Sequence, residues 1–284
     1  VNHASKAMGH IVGIIESPED AHLFLSLPGM REQWPAYLAI FGGFTEFPDT
    51  LKPEDQSRML PIARYVAEVF RNALVAMSTP ANLNIEIHCT DRWLRDTDPD
   101  GKPPPGPDQF WDNRPTHHNL MTQGWVYMPG NPRCEPEDGG FTNAKVWGQG
   151  WDVVTLCPGM FASTWIPQQN NAETLQDVCS RQHPGTVMFD NLVRDKIARL
   201  LVHELMHSPN VIGKSDSNGN SPITDVPCPG DPSKDAYGWA CVTDLAEQDP
   251  GKAKLNADNY SYFAAAVYCN GNNWSTGWAK PMAT

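Results

Sequence analysis

Two histidines and a glutamate at metal-site spacing are the residues of this chain with the most direct chemical meaning. His203 and His207 lie four positions apart, and Glu204 directly follows the first histidine. Residues four apart share one face of a helix, so both imidazoles can reach a single metal ion. A glutamate beside such a ligand can take a proton from a water molecule at that metal. The spacing indicates a catalytic zinc site, and a hydrogen-bonded polar cluster is the simpler alternative.

The segment around these residues has the apolar spacing of a helix. Its apolar positions include Leu192, Val193, Ile197, Leu200 and Leu201. Asp190 is a candidate N-cap, and Pro209 follows the second histidine closely enough to end the helix. We therefore predict one helix over about 190–208, which positions the two histidines and the glutamate.

Periodicity elsewhere predicts the elements that must support this helix. The predicted elements are a helix over 53–78, strands over 84–88, 124–128 and 151–156, and a helix over 256–268. Pro61 falls inside the first helix and could mark its true first turn. No internal repeat divides the 284 residues, so we predict one α+β domain, 1–284, in which residues 1–50 form an extension without an assigned role.

Composition and charge narrow the range of partners. The formal net charge is -12, with 33 acidic and 21 basic residues. This balance argues against binding to nucleic acid and to an anionic membrane surface. No apolar stretch approaches the length of a membrane span. We expect a monomer that meets a protein or peptide, rather than a nucleic acid or a membrane.

Seven dispersed cysteines favour disulfides in a secreted protein. None of them forms a C-x-x-C pair, which argues against a thiolate zinc site. The odd number leaves one thiol over. We predict at least two disulfides, with Cys157–Cys179 favoured because these residues flank a 21-residue polar segment between a predicted strand and the predicted 190–208 helix. The start at Val1, with no visible leader, suggests a processed, mature form.

A catalytic zinc site needs a third protein ligand besides two imidazoles. No histidine occurs at 208–216, and two aspartates, Asp225 and Asp235, are the better candidates downstream. His117 and His118 are adjacent in a polar stretch, which we interpret as a surface pair, with a second metal site as the alternative.

The combination of motifs resembles the deuterolysin or aspzincin peptidases, which are secreted and mostly fungal zinc endopeptidases. The similarity covers roughly 150–270. It rests on the histidine motif at 203–207, Tyr237-Gly238, Asn256-Ala257-Asp258-Asn259-Tyr260 and the segment Cys157-Pro158-Gly159-Met160-Phe161. The resemblance implies a zincin-like α+β fold with a small sheet and an active-site helix. It also implies one zinc ion per chain and a catalytic core within 150–270.

The resemblance also bears on the third ligand. The family has Gly-Thr, then the ligand Asp, then Tyr-Gly a few residues later. This chain lacks Gly-Thr, and Asp235 lies two residues before Tyr237, whereas Asp225 lies twelve before it. We favour Asp225 because its separation from His207 is closer to that of the family, and Asp235 stays the alternative.

Two further roles are implied by the resemblance. Tyr237 would donate its hydroxyl to the oxyanion; the alternative is a core tyrosine beside a turn glycine. Asp258 resembles the residue that lines an acidic S1′ pocket in lysine-cleaving relatives; the alternative is a capping or buried hydrogen-bonded aspartate. The acidic partner that those relatives have three residues later is Ser261 here.

The expected protein is a secreted zinc endopeptidase in which two histidines and one aspartate hold zinc and Glu204 is the general base. A second hypothesis is a secreted zinc-binding or host-interacting protein that has the same fold and little turnover. Glu204 favours the enzyme, because zinc binding alone needs the histidines and not the glutamate.

Overall fold

The computed structural model shows a mixed α+β architecture in which small sheets are packed among helices. It describes residues 1–16, 30–42, 52–79, 84–114, 124–128, 133–135, 139–146, 150–161, 174–181, 185 and 187–280. The pair His117 and His118 lies outside these residues. Within them, every helix is too short or too polar to cross a membrane.

Helices form the largest part of the described chain. They are α1 Asn2–Glu16, α2 Met30–Tyr37 with a π-helical continuation Leu38–Gly42, α3 Pro53–Ser78, α4 Leu175–Cys179, α5 Phe189–Val193, α6 Ile197–Met206, α7 Pro209–Ile212, α8 Gly238–Gln248, α9 Pro250–Ala253 and α10 Ala257–Tyr268, with a 3-10 turn at Pro158–Phe161. The predicted helices 53–78 and 256–268 are confirmed. Pro61 lies inside α3 and does not mark its start, because the buried stripe continues on both sides of it through Met59 and Ile62.

The strands form one main sheet and two smaller ones. They are β1 Ile85–His88, β2 Leu94–Arg95, β3 Gln109–Asp112, β4 Trp125–Tyr127, β5 Gly140–Val146, β6 Trp151–Leu156, β7 Pro227–Cys228 and β8 Asp231–Asp235. The main sheet has the order β1-β6-β5, in which β1 runs parallel and β5 antiparallel to β6. The predicted strands 84–88, 124–128 and 151–156 are confirmed as β1, β4 and β6.

The two faces of β6 pack against different layers. Val154 and Leu156 belong to the main core with the helices, whereas Val153 packs with apolar side chains of the β2-β3-β4 sheet. On that second face, Trp93 donates its indole N–H to the Thr155 hydroxyl at 3.2 Å. The main sheet is therefore covered by helices on one side and by the second sheet on the other, and β1 and β5 are its edge strands among the described strands.

The described part of the N-terminal fifty residues is integral to the main core. Met8 and Ile11 of α1, Trp34 of α2 and Phe41 are fully buried in it. The Phe41 ring lies 5.2 Å from the ring of Tyr260 on α10. Although the sequence shows no clear period there, these residues pack directly against the helices that follow the metal-site motif.

Three disulfides confirm the prediction of at least two, but the favoured pair Cys157–Cys179 is wrong. The bonds join Cys134 to Cys157, Cys179 to Cys269 and Cys228 to Cys241. Cys157 directly follows β6, and Cys179, the last residue of α4, is bonded to the C-cap residue of α10. The pairing thus depends on which segments the tertiary structure brings together, and not on the length of an intervening loop. Cys89 is the remaining thiol and is exposed.

The helix predicted over 190–208 is divided into α5 and α6, which corrects its start. Asp190 lies in the first turn of α5, where its carboxylate accepts from the Trp239 backbone N–H at 3.0 Å and from the Tyr262 hydroxyl. It does not cap the helix of the histidines. The break is stabilised by Arg199, whose guanidinium donates to the Arg194 carbonyl at 2.9 and 2.7 Å.

Candidate metal centre

Helix α6 brings the two histidines together at its C-terminal end. His203 lies in the last turn, and His207 is the C-cap residue with helical backbone angles of φ -77 and ψ -5. Their Nε2 atoms are 3.3 Å apart. Beyond this end, Ser208 caps α7 and donates to the fully buried carboxylate of Asp152 at 2.5 Å, which ties the histidine segment to β6.

The hydrogen bonds of both imidazoles leave their Nε2 atoms directed at the same point. His203 Nδ1 lies 3.0 Å from Asp258 Oδ1, and His207 Nδ1 lies 3.1 Å from the Ile223 carbonyl oxygen. An ionised carboxylate and a carbonyl can only accept, so we assign the imidazole hydrogen to Nδ1 in each case. In the neutral imidazoles, the Nε2 lone pairs are then available for a metal.

Asp225 supplies an oxygen at the same point. Its Oδ1 is 3.4 Å from Nε2 of His203 and 3.4 Å from Nε2 of His207. This oxygen is buried and has no hydrogen-bond donor among the described residues. The three side chains offer ligand atoms that all lie within 4.8 Å of one another, a group that does not include the exposed Asp235. Of the two candidate aspartates, the structure thus brings Asp225 to the histidines.

Electrostatics at this point favour a positive charge. Burial lowers the pKa of His207, but the close approach and negative charge of the Asp225 carboxylate outweigh it and raise that pKa to about 9. Burial raises the pKa of Asp225, but the contact with His207 leaves it below its usual value. Burial and the charge of Asp225 raise the pKa of Asp235. Two imidazole nitrogens and one carboxylate oxygen are a donor set that zinc accepts, so the residues fit the predicted ion.

Asn256 holds the segments on both sides of the centre. Its Oδ1 accepts from the Val226 N–H at 3.0 Å, next to Asp225. Its Nδ2 donates to the Ala236 carbonyl at 3.1 Å, next to Tyr237. Asn256 is fully buried, so one amide fixes two loop segments that are distant in sequence. The sequence marks Asn256 only as part of the 256–260 motif, and this role was not predicted.

Glu204 is held between α6 and the edge strand β5. It is 4% exposed, and the Thr142 hydroxyl lies 2.9 Å from its Oε2. A Cβ atom on Gly140 would lie 2.7 Å from the Thr155 carbonyl oxygen and 3.3 Å from Glu204 Cγ. The close approach of strand and glutamate therefore requires a glycine. Sequence analysis missed Gly140 and Thr142 because β5 has no clear apolar alternation.

Tyr237 lies beside the candidate metal ligands as the N-cap residue of α8. Its ring is 5.5 Å from the His203 ring, and it is 46% exposed. Burial of the hydroxyl and the negative charges of Asp225 and Asp235 raise the pKa of Tyr237 far above its ordinary value. The hydroxyl therefore keeps its hydrogen at neutral pH and can donate it.

Asp258 is a buried, hydrogen-bonded aspartate at the wall of a cavity. It is 2% exposed and pairs with Arg199 at 2.5 Å, besides its contact with His203. Burial alone would raise the pKa of Asp258, but the Arg199 charge and the His203 hydrogen bond hold it well below its usual range. Asp258 is thus an anion within the protein, in contact with a candidate metal ligand.

Two cavities meet at the centre. One, of about 450 Å³, extends past Arg199 and Leu200, and the other, of about 480 Å³, extends past His207 and Tyr127. The residues that line both are Gly140, His203, Glu204 and Tyr237. Open space therefore continues on both sides of the glutamate and the histidines.

Comparisons with protein-family models, with curated proteins and with solved structures found no match for this chain. The resemblance to the deuterolysin peptidases consequently rests on the motif residues alone. What the protein does must be inferred from the geometry of the candidate centre.

Proposed function

We propose that the protein is a secreted zinc-dependent endopeptidase that resembles the aspzincins. One observation carries this proposal. Nε2 of His203, Nε2 of His207 and the orphaned Oδ1 of Asp225 lie 3.3 to 3.4 Å from one another, with Glu204 next to the first ligand in sequence. When both imidazoles are neutral, these three acceptor atoms repel one another, and a bound metal ion, in place of a proton on His207, offsets the repulsion. A structural cluster needs no adjacent buried glutamate.

The proposed catalytic roles follow from the positions of the side chains. His203, His207 and Asp225 would hold the ion. Zinc bound there would lower the pKa of water toward neutrality and polarise a peptide carbonyl. Glu204, oriented by the Thr142 hydroxyl, acts as the general base.

In the proposed reaction, Glu204 transfers the proton and Tyr237 stabilises the negative charge on the carbonyl oxygen. Glu204 accepts a proton from the attacking water, whose oxygen bonds to the peptide carbon. As the carbon–nitrogen bond breaks, Glu204 returns the proton to the leaving amine, so the reaction consumes one water and regenerates the carboxylate. Tyr237 donates its hydroxyl hydrogen to the oxygen that becomes negative.

The shape of the site favours a polypeptide substrate cleaved within the chain. The two cavities extend away from Glu204 in different directions, so residues on both sides of a scissile bond have room. The edge strand β5 contributes Gly140 and Thr142 to the cavity walls. An edge strand can pair with an extended peptide through backbone hydrogen bonds, which suits a polypeptide better than a small amide.

The disulfides support an extracellular location. Disulfides form and persist in oxidising compartments, and three are present in the described residues. They tie β6, α4, α8 and α10 to neighbouring segments. A secreted endopeptidase benefits from such bonds because its own loops are exposed to proteolysis.

Metal analysis and a proteolysis assay test the proposal. We expect about one zinc per chain and casein cleavage that a chelator abolishes and added zinc restores. Glu204→Gln should retain zinc and lose nearly all cleavage, whereas Glu247→Gln, at an exposed position of α8, should cleave like the wild type. Zinc binding without cleavage by the wild type would favour the zinc-binding hypothesis, and absence of zinc binding would contradict both.

A further inference from the structure

Both oxygens of the Asp258 carboxylate accept hydrogen bonds within the chain. Oδ1 lies 2.5 Å from Arg199 Nη1, 3.0 Å from His203 Nδ1 and 3.1 Å from Ser261 Oγ. Oδ2 accepts from the Gly238 backbone N–H at 2.9 Å. Each carboxylate oxygen has about two lone-pair sites, so the contacts occupy Oδ1 fully and leave one site on Oδ2. Asp258 is 2% exposed at the cavity wall, and its charge is already paired with Arg199.

We infer that Asp258 is a positioning residue that orients His203, and that Arg199 is its permanent internal cation in place of a cation from the substrate. The role of Asp258 towards the substrate rests on the proposed endopeptidase function. Its role in orienting His203 rests only on contacts within the chain. A consequence is that Asp258 gives cleavage no selectivity for lysine.

Arg199 is held rigidly enough for this role. It is 6% exposed and donates through Nε and Nη2 to the Arg194 carbonyl, and its guanidinium lies 4.8 Å from the ring centre of Tyr262. A buried arginine that makes these contacts cannot swing away to admit another cation without leaving several polar groups unpaired. The carboxylate of Asp258 therefore always has a positive partner.

The same pair explains how His203 keeps one orientation. A carboxylate that accepts from Nδ1 fixes the imidazole tautomer and turns the Nε2 lone pair away from itself. Arg199 donates to the same Oδ1 atom that accepts from His203, so it fixes the position of this oxygen. Arg199 thus acts on His203 through Asp258.

Ser261 is an uncharged, fully buried neighbour of Asp258. Its hydroxyl accepts from Arg199 Nη1 at 2.9 Å. One acid paired with one internal arginine leaves this wall neutral, so an ammonium group that entered the cavity would find no free charge on Asp258 or Ser261.

Four variants test the positioning role. Asp258→Asn removes the charge with little change of shape, and Asp190→Asn is the matched control, because Asp190 is a partly buried, hydrogen-bonded aspartate of the same region without contact to a histidine. We expect Asp258→Asn to weaken zinc binding about 10- to 100-fold, as loss of an outer partner does, and the control to stay within about threefold. Arg199→Met should weaken it as well, and Arg199→Lys should weaken it less.

Three readouts separate this inference from the proposed function. Chelator competition gives the zinc affinity of each variant. NMR of the metal-free protein should show the His203 Nδ1 hydrogen as a slowly exchanging, downfield signal that is lost in Asp258→Ala and retained in Asp190→Asn. Matched peptides with lysine or leucine after the scissile bond give the selectivity, which should differ less than about tenfold between the two and should not change in Asp258→Asn.

Zinc affinity within twofold of wild type in Asp258→Asn, or absence of the Nδ1 signal from the wild type, would overturn the positioning role. A strong preference for lysine that Asp258→Asn abolishes would show that Asp258 binds a cation of the substrate, which would overturn that part of the inference. If the wild type cleaves no peptide, the proposed function fails, and zinc affinity still decides the positioning role. If it binds no zinc, the NMR signal decides.

Discussion

Replacing Asp225 by asparagine removes the carboxylate that, among the described residues, lies close to both histidines. The amide keeps the shape of the side chain and loses its negative charge. Asp225 Oδ1 is 3.4 Å from Nε2 of both His203 and His207, so it completes the predicted set of three ligand atoms. We expect Asp225→Asn to bind zinc much more weakly than the wild type.

The size of the effect follows from the position of this oxygen. Loss of an outer partner of a ligand typically costs 10- to 100-fold in affinity, so loss of a direct ligand should cost at least about 100-fold. Zinc at about 1,000 times its dissociation constant stabilises the wild type by about 4.1 kcal/mol, and the same zinc at ten times the weakened constant gives about 1.4 kcal/mol. The difference, about 2.7 kcal/mol, corresponds to a zinc-induced rise in Tm that is smaller by roughly 5 to 11 °C for a chain of this size.

Thermal unfolding with and without zinc measures this change, and chelator competition checks the affinity directly. Asp235→Asn is the matched control, since Asp235 is exposed, lies outside the ligand group and influences it only through charge. Its zinc-induced rise in Tm should stay within about 3 °C of the wild type. If Asp235→Asn loses as much zinc affinity as Asp225→Asn or more, the assignment of the third ligand is refuted.

Three further changes probe the groups around Glu204. Tyr237→Phe should bind zinc normally and lose about 100-fold in kcat, because it removes one oxyanion donor; a change in KM alone would contradict this. Thr142→Val should lower kcat about tenfold with zinc content unchanged, since Glu204 loses the hydroxyl that lies 2.9 Å from its Oε2; an unchanged kcat would show that this contact is dispensable. Gly140→Ala should cost about 1 to 3 kcal/mol of unfolding free energy and also reduce kcat, because its Cβ would lie 2.7 Å from a β6 carbonyl. Gly9→Ala, in a helix with no atom within 4 Å of the added Cβ, is its control and should stabilise by up to about 1 kcal/mol.

The spacing of apolar residues along the sequence correctly predicts the elements that bury one continuous face. Helix α3, strand β6 and helix α10 agree with the predicted spans because burial of one face decides both their type and their extent. The 190–208 helix was predicted too long. Its apolar spacing continues across residues 194–196, but the Arg194 carbonyl is satisfied by the Arg199 side chain and not by the helix.

Sequence by itself determined that His203, Glu204 and His207 share one helix end, because their spacing acts over a single turn. It left Asp225 and Asp235 open, since the conformation of the segment after α7 depends on contacts with distant residues. Only the tertiary structure brings Asp225, and not Asp235, to the histidines, and the Asn256 amide, about thirty residues further on, fixes the backbone beside Asp225. The disulfide partners and the environments of Glu204 and Asp258 were decided in the same way. Each depends on which segments pack together, and periodicity within one segment does not carry that information.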